Sequence, residues 1–493
     1  MKLLTRLEKN KELWFLILLS FLFFLLRLPS LIEPYWYGDE GIYELIGVAL
    51  NHGQQLYSQI WDNKPPLLYL LYALSLGDQF TIRAYSIFVG ALSTIIFYYL
   101  VLALFRSPGI ARITTVIYLS LFATPFIEGN IANAENFMLL FIIAAALLIY
   151  KSLEIQKKRH LHLIHFSAGI LLGISFLFKI TALFDFVAFF VFIIFILLHH
   201  TDSYKKSTKK LAMYTLGFLS PLLLTVLYFF FRGTLNDFIQ AAFLGNVGYV
   251  GYENKFIITQ GLLAIKLLLL FLAVAFVFWK RKVIPAHIAF IFLWFSFCSF
   301  NALFSGRPWT HYMLVMMPAT ILLIGILLDK ASLKTRTFTL GFLLVAVFII
   351  TAFFKLNLGS VGRVFLYYQN FAFFITNQKS TTAYLEYFDK KVIRDYEVAH
   401  FLAGKTKPGE VIFVWGNNPQ IYVLSKTLPP GKYTVEYHIS QSKIALDETA
   451  ASIDRAKPNF IVILSETPNF PFSIYGYTNK FSLKGADIYE RTL

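Results

Sequence analysis

Long apolar stretches recur along most of this chain, and they constrain its fold more than any other feature. The chain has 493 residues, of which 57% are hydrophobic, whereas soluble domains are usually nearer half apolar. Many stretches approach the ~20 residues that a helix needs to cross a bilayer. Their continuous rather than alternating hydrophobicity favours helices over a β-barrel. We therefore predict an all-α polytopic membrane protein with eleven spans, at residues 13–32, 84–105, 113–127, 137–153, 166–182, 183–200, 211–231, 259–279, 283–300, 313–329 and 337–354.

Basic residues give the chain a net charge of +16, and their placement accounts for this charge without a nucleic-acid partner. Lys and Arg mark the cytoplasmic loops of membrane proteins. Here they cluster in alternate loops between the predicted spans, beginning with the N-terminal segment. We expect a multi-pass protein of the inner or plasma membrane with a cytoplasmic N-terminus. Because the number of predicted spans is odd, residues 355–493 are expected on the extracytoplasmic side.

The sequence pattern changes beyond the predicted spans. Residues 1–354 form the predicted transmembrane domain, whose outer loop at 33–83 carries the candidate catalytic residues. Residues 355–392 are rich in Tyr and Phe, which is typical of an interfacial linker. Residues 393–493 predict a small extracytoplasmic α/β domain. Its strands are predicted at 411–416 and 460–464, and its helices at 419–425 and 450–456.

The first outer loop carries an acidic pair, Asp39 and Glu40. Spaced apolar positions predict a helix over residues 38–51 that lies at the interface instead of crossing the membrane. The helix dipole alone favours acids in a first turn, but a carboxylate there can also take a proton from a hydroxyl. Trp36 and Tyr37 flank the pair, and their rings suit stacking on a sugar as well as an interfacial aromatic belt. We predict that the two acids are catalytic and that the two aromatic residues line a substrate pocket.

The same loop carries Lys64 ahead of Pro65 and Pro66. Proline is favoured in the first helical turn, so this motif predicts a juxtamembrane helix over residues 64–77 with the lysine at its N-terminus. The ammonium and the free backbone N–H groups would then form an anion site that suits a phosphate. The alternative is a lysine that extends toward the interface beside a helix start.

A second set of candidates stands where two spans meet an outer loop. Glu135 and Asn136 open the span predicted at 137–153. Glu135 is suited either to sharing base and acceptor-positioning roles with Asp39 or to binding a metal. Asn136 is a candidate for the substrate pocket.

The later outer loops add cations and hydrogen-bonding aromatics. Lys179 and Arg307 are candidates for binding the donor phosphate, because a guanidinium fits a phosphate with two hydrogen bonds. His311 is an alternative base or metal ligand, and structural hydrogen bonding is the competing interpretation. His311 and the adjacent Tyr312 are predicted to line the substrate pocket.

Together these motifs resemble the GT-C-fold glycosyltransferases that use lipid-phosphate-linked sugars, in particular bacterial relatives of protein O-mannosyltransferases and of aminoarabinose transferases. The similarity is strongest over Tyr37-Gly38-Asp39-Glu40 and Lys64-Pro65-Pro66-Leu67-Leu68-Tyr69. It continues at Ala134-Glu135-Asn136, Phe178-Lys179 and Gly306-Arg307-Pro308-Trp309-Thr310-His311-Tyr312.

The resemblance implies a sugar donor linked to a polyprenyl phosphate such as undecaprenyl phosphate. It implies that Asp39 is the catalytic base, that Glu135 is the acid of a second outer loop, and that Lys64 binds the lipid phosphate. Lys179 and Arg307 would add further cationic contacts. The implied fold is a GT-C fold of about 11 transmembrane helices with juxtamembrane helices.

Whether the site binds a divalent metal stays open at this point. Some members of the resembled family have a carboxylate directly before the lysine of the Lys-Pro-Pro motif, where a metal binds, whereas this chain has Asn63 there and Asp62 one residue earlier. The candidate ligands are Asp62 and His311. The single Cys298 cannot form a cysteine metal cluster, and we predict no other cofactor.

We therefore expect a hexosyl- or pentosyltransferase that moves a sugar to an acceptor hydroxyl on the extracytoplasmic face with inversion of configuration. The acceptor is a lipid, a glycan or a protein, and the residues do not decide among these. The alternative is a non-enzymatic flippase or transporter of lipid-linked sugars. Internal repeats and charges at the midplane of the membrane would favour that alternative, and the sequence has neither. An extracytoplasmic sensor with residues 393–493 as its binding module is a third interpretation.

Overall fold

The computed structural model describes residues 11–155, 157–199, 204–246, 254, 260–304, 310–329, 361–483 and 485–492. The chain divides into two compact units. Unit 1 comprises Met1–Leu28, Ala84–Tyr228 and Asn246–Phe365, and unit 2 comprises Pro29–Arg83, Phe229–Gly245 and Leu366–Leu493. Residues 33–83, which are predicted to form the first outer loop and keep that name below, therefore belong to the same unit as the C-terminal part of the chain. The predicted domain boundaries after residues 354 and 392 stay predictions.

The described helices are α1 (Lys11–Arg27), α2 (Gly38–Asn51), α3 (Pro66–Ala73), α4 (Gln79–Phe105), α5 (Pro108–Ala123), α6 (Ala134–Lys151), α7 (Lys158–Phe178), α8 (Leu183–His199), α9 (Tyr204–Phe231), α10 (Leu235–Ala242), α11 (Gly261–Trp279), α12 (Ala286–Ala302), α13 (Tyr312–Leu328), α14 (Val361–Ile375), α15 (Thr381–Glu386), α16 (Lys391–Ala403), α17 (Gln420–Ser425), α18 (Glu436–Ile439) and α19 (Lys443–Ala456). The strands are β1 (Phe413–Trp415), β2 (Phe460–Leu464), β3 (Tyr477–Leu483) and β4 (Ala486–Arg491).

Apolar helices of membrane-spanning character dominate the described part of the chain. Seven of them are long and apolar enough to cross a membrane: Lys11–Leu31, Gln79–Phe105, Ala134–Glu154, His160–Phe178, Ile180–His199, Thr208–Phe231 and Gly261–Trp279. Three of the four remaining predicted spans coincide with shorter apolar helices, which are Pro108–Ala123, Ala286–Ala302 and Tyr312–Leu328. The fourth, at residues 337–354, lies outside the described residues. The prediction of a polytopic helical membrane protein is confirmed.

Two short helices carry the first outer loop and pack closely on each other. Helix α2 runs over Gly38–Asn51, as predicted, and α3 begins at Pro66 after Pro65 in an extended conformation. A Cβ atom added at Gly47 of α2 would lie 2.7 Å from the backbone carbonyl carbon of Tyr72 in α3. Only glycine permits this approach, so Gly47 fixes the distance between the helix that starts with the acidic pair and the helix that follows Lys64.

A four-stranded sheet of order β1-β2-β4-β3 occupies the C-terminal part of unit 2. Strands β1 and β2 pair in parallel, with Val414 opposite Val462, and the other two pairs are antiparallel. Helices α17, α18 and α19 lie in the connection between the parallel strands, as a parallel crossover requires. The α/β character predicted for this region is confirmed.

The core of unit 2 contains residues that are far apart in the sequence. Tyr35 and Leu45 of the first outer loop lie in one buried hydrophobic cluster with Val414, Val462 and Ile488 of the sheet. Buried apolar area is the main stabilising contribution in such a cluster. The first outer loop is therefore held in place by residues from the far end of the sequence.

Candidate active site

Three charged side chains of the first outer loop lie together in unit 2. The Nζ atom of Lys64 is 3.9 Å from Oδ2 of Asp39 and 3.6 Å from Oδ2 of Asp62. The side chain of Asp39 is 33% exposed and that of Lys64 is 20% exposed, whereas Asp62 is buried. One carboxylate and one ammonium therefore reach the surface side by side, and a second carboxylate lies beneath them.

Tyrosine hydroxyls fix the backbone and side chains of this group. Tyr43, one turn after Asp39 in α2, donates to Oδ2 of Asp39 at 3.0 Å. Tyr57 donates to the carbonyl oxygen of Lys64 at 2.7 Å, and the backbone N–H of Lys64 donates to the hydroxyl oxygen of Tyr69 at 3.1 Å. Both the N–H and the carbonyl group of Lys64 are therefore fixed by hydrogen bonds to tyrosine hydroxyls.

Asp62 is a buried carboxylate that stays charged. Tyr69 donates to its Oδ2 at 2.7 Å, and Nε2 of His438 lies 3.8 Å from its Oδ1. Burial acts to raise the pKa of Asp62, but the ammonium of Lys64 and the hydrogen bond from Tyr69 outweigh burial, so the pKa is lowered. A carboxylate held in the charged form retains the neighbouring ammonium of Lys64 by electrostatic attraction.

His438 was not among the residues predicted from the sequence. It belongs to α18, far along the chain from Asp62, and only the fold of unit 2 brings the two together. The sequence around His438 has no ligand spacing or catalytic motif that could have identified it.

Glu40 follows Asp39 in the sequence but faces a different partner. Arg83 donates to both of its carboxylate oxygens, at 2.7 Å and 3.2 Å, and both side chains are buried. Arg83 also donates to the carbonyl oxygens of Ser30 and Glu33, at 2.9 Å and 2.8 Å. This pair ties the start of α2 to the start of α4. The predicted catalytic role of Glu40 stays a prediction, and its observed contact is a structural ion pair.

The predicted aromatic pocket residues stand directly before α2. Tyr37 occupies the N-cap position of that helix in an extended conformation. The indole N–H of Trp36 donates to a carboxylate oxygen of Glu33 at 3.0 Å, and the rings of Trp36 and Tyr37 lie edge to face with centroids 5.5 Å apart. The structure therefore places both rings beside the acidic pair, and their contact with a substrate stays a prediction.

The second predicted set comes together in unit 1. The ammonium of Lys179 forms an ion pair with the buried carboxylate of Glu135, and it lies 4.6 Å from the ring centroid of Tyr312. Nε2 of His311 is 3.9 Å from Oε1 of Glu135. One cluster at the ends of α6, α7 and α13 therefore contains four residues that were predicted separately: Glu135, Lys179, His311 and Tyr312.

Glu128 completes this cluster and was not predicted. Nδ1 of His311 donates to Oε2 of Glu128 at 2.9 Å, and the hydroxyl of Thr310 donates to its other oxygen. Glu128 has a φ of 61°, which is uncommon for a residue other than glycine. Both carboxylate oxygens of Glu128 bind the segment that carries His311.

Asn136 is bound to the backbone of the same region. Its side-chain amide donates to the carbonyl oxygen of Gly129 at 2.6 Å, which also accepts from the guanidinium of Arg27. A Cβ atom at Gly129 would lie 2.1 Å from the carbonyl oxygen of Phe122, so glycine is required there. The pocket role of Asn136 stays a prediction. Arg307, predicted to bind the donor phosphate, lies outside the described part of the chain.

The donor set does not fit a divalent metal. Among the residues that the structure describes, no group of three or more His, Cys, Asp and Glu side chains is arranged to hold a metal ion. The ammonium of Lys64 lies between the carboxylates of Asp39 and Asp62, where it neutralises the ligands that a cation would need. The two candidate ligands named from the sequence, Asp62 and His311, belong to different units.

Comparison with known proteins agrees with this architecture. Residues 55–254 match the family model described as dolichyl-phosphate-mannose-protein mannosyltransferase. This range includes Lys64, Glu135 and Lys179. No curated protein sequence matches the chain.

Two solved structures have a similar fold. The crystal structure of ArnT from Cupriavidus metallidurans bound to undecaprenyl phosphate aligns with a TM-score of 0.58 at 13% identity, over 96% of this chain and 97% of ArnT. The archaeal oligosaccharyltransferase AglB from Archaeoglobus fulgidus, in complex with an inhibitory peptide and a dolichol-phosphate, aligns with a TM-score of 0.50 at 11% identity, over 93% of this chain and 70% of AglB.

The chain therefore has the polytopic GT-C fold, and the resemblance that its motifs indicate is confirmed. The family model that residues 55–254 match is that of a glycosyltransferase family.

Proposed function

We propose that this protein transfers a sugar from a polyprenyl-phosphate donor to an acceptor hydroxyl at the extracytoplasmic face of the membrane, with inversion at the anomeric carbon. The observation that carries the proposal is the contact between Asp39 and Lys64. Their charged groups are 3.9 Å apart and both are partly exposed, so a base and a phosphate-binding cation are available at one place.

Asp39 acts as the general base. The acceptor hydroxyl attacks the anomeric carbon, and its proton passes to a carboxylate oxygen of Asp39 as the new glycosidic bond forms. The Tyr43 hydroxyl, which donates to Oδ2 at 3.0 Å, restricts rotation of the carboxylate. The base is thereby oriented before the acceptor arrives, which reduces the entropy lost on reaching the reactive geometry.

Lys64 stabilises the leaving group. As the bond between the anomeric carbon and the phosphate oxygen breaks, negative charge develops on the lipid phosphate, and the ammonium offsets that charge. The lysine stands two residues before the first residue of α3, and the dipole of a helix favours an anion at its N-terminus. Since attack and departure occur on opposite faces of the sugar, one displacement inverts its configuration.

The lipid carriers bound by the similar structures support the class of donor. ArnT is bound to undecaprenyl phosphate and AglB to a dolichol-phosphate, and both are polyprenyl phosphates. For this chain we propose a hexosyl or pentosyl donor on such a carrier. Lipid, glycan and protein hydroxyls are all candidate acceptors.

The roles predicted from the sequence for the unit 1 residues stay predictions: phosphate binding for Lys179 and Arg307, positioning of the acceptor for Glu135, and a substrate pocket for His311, Tyr312 and Asn136. Trp36 and Tyr37 of unit 2 stay predicted pocket residues. The alternation of basic loops supports a cytoplasmic N-terminus, which puts the acidic loop on the extracytoplasmic side.

The test compares wild-type protein with Asp39→Asn in nanodiscs, using radiolabelled polyprenyl-phosphate sugars and measuring release of the lipid phosphate. Turnover that depends on a particular sugar is expected for the wild type and is expected to fall by at least ~100-fold in the variant. Asp447→Asn, an exposed acid of α19, is the matched control and should retain full turnover. Full turnover by a correctly folded Asp39→Asn protein would refute the role of the base. Lipid movement between leaflets without bond cleavage would instead support a flippase.

A further inference from the structure

The C-terminal part of the chain packs against Trp61, directly before Asp62. The backbone N–H of Trp61 donates to the carbonyl oxygen of Lys432 at 2.9 Å. Its ring centroid lies 5.4 Å from that of Tyr433 and 4.8 Å from that of His438. One backbone contact and two ring contacts therefore hold the Asp62 segment against the segment that carries His438.

The position of His438 is set by the end of β1. The backbone N–H of Glu436, at the start of α18, donates to the carbonyl oxygen of Gly416 at 2.9 Å. Ile439, at the end of α18, is buried in a cluster with Trp415 of β1. A one-turn helix anchored at both ends holds its side chains firmly, so the imidazole is presented to Asp62 from a rigid support.

The imidazole is buried without a full set of hydrogen bonds. It is 6% exposed, and its Nδ1 atom has no hydrogen-bond partner among the described residues. Its Nε2 atom lies 3.8 Å from Oδ1 of Asp62, which is beyond a direct hydrogen bond and within reach of a bridging water. Such incomplete satisfaction of a buried polar group is costly, and in native proteins it calls for a specific reason.

Burial keeps His438 neutral. Burial lowers the pKa of His438 to about 4; Lys64 also acts to lower it, and the carboxylates of Asp62 and Asp39 act in the opposite direction. A neutral imidazole does not compete with Lys64 for the carboxylate of Asp62. It can still donate from Nε2, which leaves the ammonium as the principal cation of the group.

We propose that His438 is a positioning residue, which fixes the carboxylate of Asp62 and thereby holds the Lys64 ammonium at the donor-phosphate site. The two oxygens of Asp62 are divided between partners: Tyr69 and Lys64 contact Oδ2, and His438 faces Oδ1. With Oδ2 held by Tyr69 and Lys64 and with the imidazole packed beside Oδ1, rotation of the carboxylate away from the lysine is restricted. The importance of this contact for sugar transfer rests on the proposed function, whereas the contact itself can be tested without turnover.

The first experiment measures the reactivity of the Lys64 amine by competitive acetylation and mass spectrometry. His438→Leu removes the imidazole that faces Oδ1 of Asp62, so the carboxylate no longer holds the Lys64 ammonium as firmly. The Lys64 amine is therefore expected to be acetylated several-fold faster than in the wild type. His438→Gln retains a neutral donor and should restore the slow rate. His400→Leu, an exposed histidine of α16, is the matched control and should leave Lys64 unchanged. If the leucine variant does not fold, His438→Asn, whose side chain is shorter, replaces it.

The second experiment is a double-mutant cycle with Asp62→Asn, measured as kcat/KM for the polyprenyl-phosphate sugar. His438→Leu should lower kcat/KM by about 10-fold in the wild-type background and cause no further loss in the Asp62→Asn background, because coupled residues are not additive. A purely structural histidine would give additive losses and a matching loss of thermal stability in both backgrounds.

The two experiments separate the possible failures. If Lys64 is acetylated at the wild-type rate in folded His438→Leu, or if the kinetic losses are additive, the positioning role is overturned. If no donor gives turnover while acetylation changes as expected, the positioning role stands and the proposed transferase function fails.

Discussion

Arg83 binds the carboxylate of Glu40 through two hydrogen bonds, of 2.7 Å and 3.2 Å, in the buried interior of unit 2. The neighbouring Asp39 has no such partner and is instead partly exposed beside Lys64. Two adjacent acids at one helix start therefore face different surroundings. One links secondary-structure elements, and the other is available for chemistry.

Removal of the Glu40 charge is expected to destabilise the protein. Glu40→Gln removes the carboxylate that the buried guanidinium of Arg83 binds through two hydrogen bonds, and breaking such a buried pair typically costs about 3–5 kcal/mol. Asp39→Asn should be nearly neutral for stability, since that side chain is 33% exposed. Thermal unfolding in detergent measures both changes. A Glu40→Gln protein that unfolds like the wild type but has lost turnover would assign Glu40 to the chemistry.

Lys64 is expected to control binding of the lipid phosphate. Lys64→Met should weaken the binding of polyprenyl phosphate by at least ~10-fold, because a charge-assisted contact to the phosphate is lost. Binding of the corresponding polyprenol, which has no phosphate, should not change. Equilibrium binding in nanodiscs measures both ligands. Equal affinity of the variant and the wild type for polyprenyl phosphate would move the phosphate site away from α3.

Ionisation of Glu44 is expected to make the stability of the folded protein depend on pH. This residue of α2 is buried, with Ser75 donating to one oxygen at 2.6 Å. Burial raises its pKa from 4.5 to about 8; Glu40 and Asp78 act in the same direction, and Ser75 and Arg83 oppose it. Between these two values the folded state holds more protons than the unfolded state, so stability decreases as the pH rises from 4.5 toward 8.

The corresponding measurement is the melting temperature across this pH range. Glu44→Gln cannot ionise and should show a smaller decrease between pH 5 and pH 8 than the wild type does. An unchanged slope in the variant would show that Glu44 ionises equally in the folded and unfolded states.

The ion pair between Lys179 and Glu135 can be separated from any catalytic role. Lys179→Met leaves a buried carboxylate in unit 1 without its cation, so a loss of roughly 3–5 kcal/mol in stability is expected. The double variant Glu135→Gln/Lys179→Met should recover most of that loss, because no unpaired charge remains. Melting temperature and turnover are measured together. Recovery of stability without recovery of turnover would support functional roles for this pair, whereas recovery of both would leave it purely structural.

Local sequence patterns predicted the helices and strands well. The apolar spacing over residues 38–51 and the proline pair before α3 both act within one or two helical turns. The first helix forms over Gly38–Asn51 as predicted, whereas the second, predicted over 64–77, covers only Pro66–Ala73. The runs at 411–416 and 460–464 likewise form strands. Asp39 and Lys64 could be paired from the sequence because they share one loop.

The partners of the buried charges could not be predicted in this way. Arg83, Glu128 and His438 contact residues of other segments, and no local pattern records those contacts. The left-handed backbone of Glu128 is set by its surroundings rather than by its residue type, since nothing in the sequence requires it. Each of these residues became a candidate only after the fold had brought it to a charged partner.

The shared core of unit 2 also sets the order in which the molecule can be completed during synthesis. Tyr35 and Leu45 are translated hundreds of residues before Ile488, which lies in the same buried cluster. The acidic loop therefore gains its full packing only after strand β4 has been made.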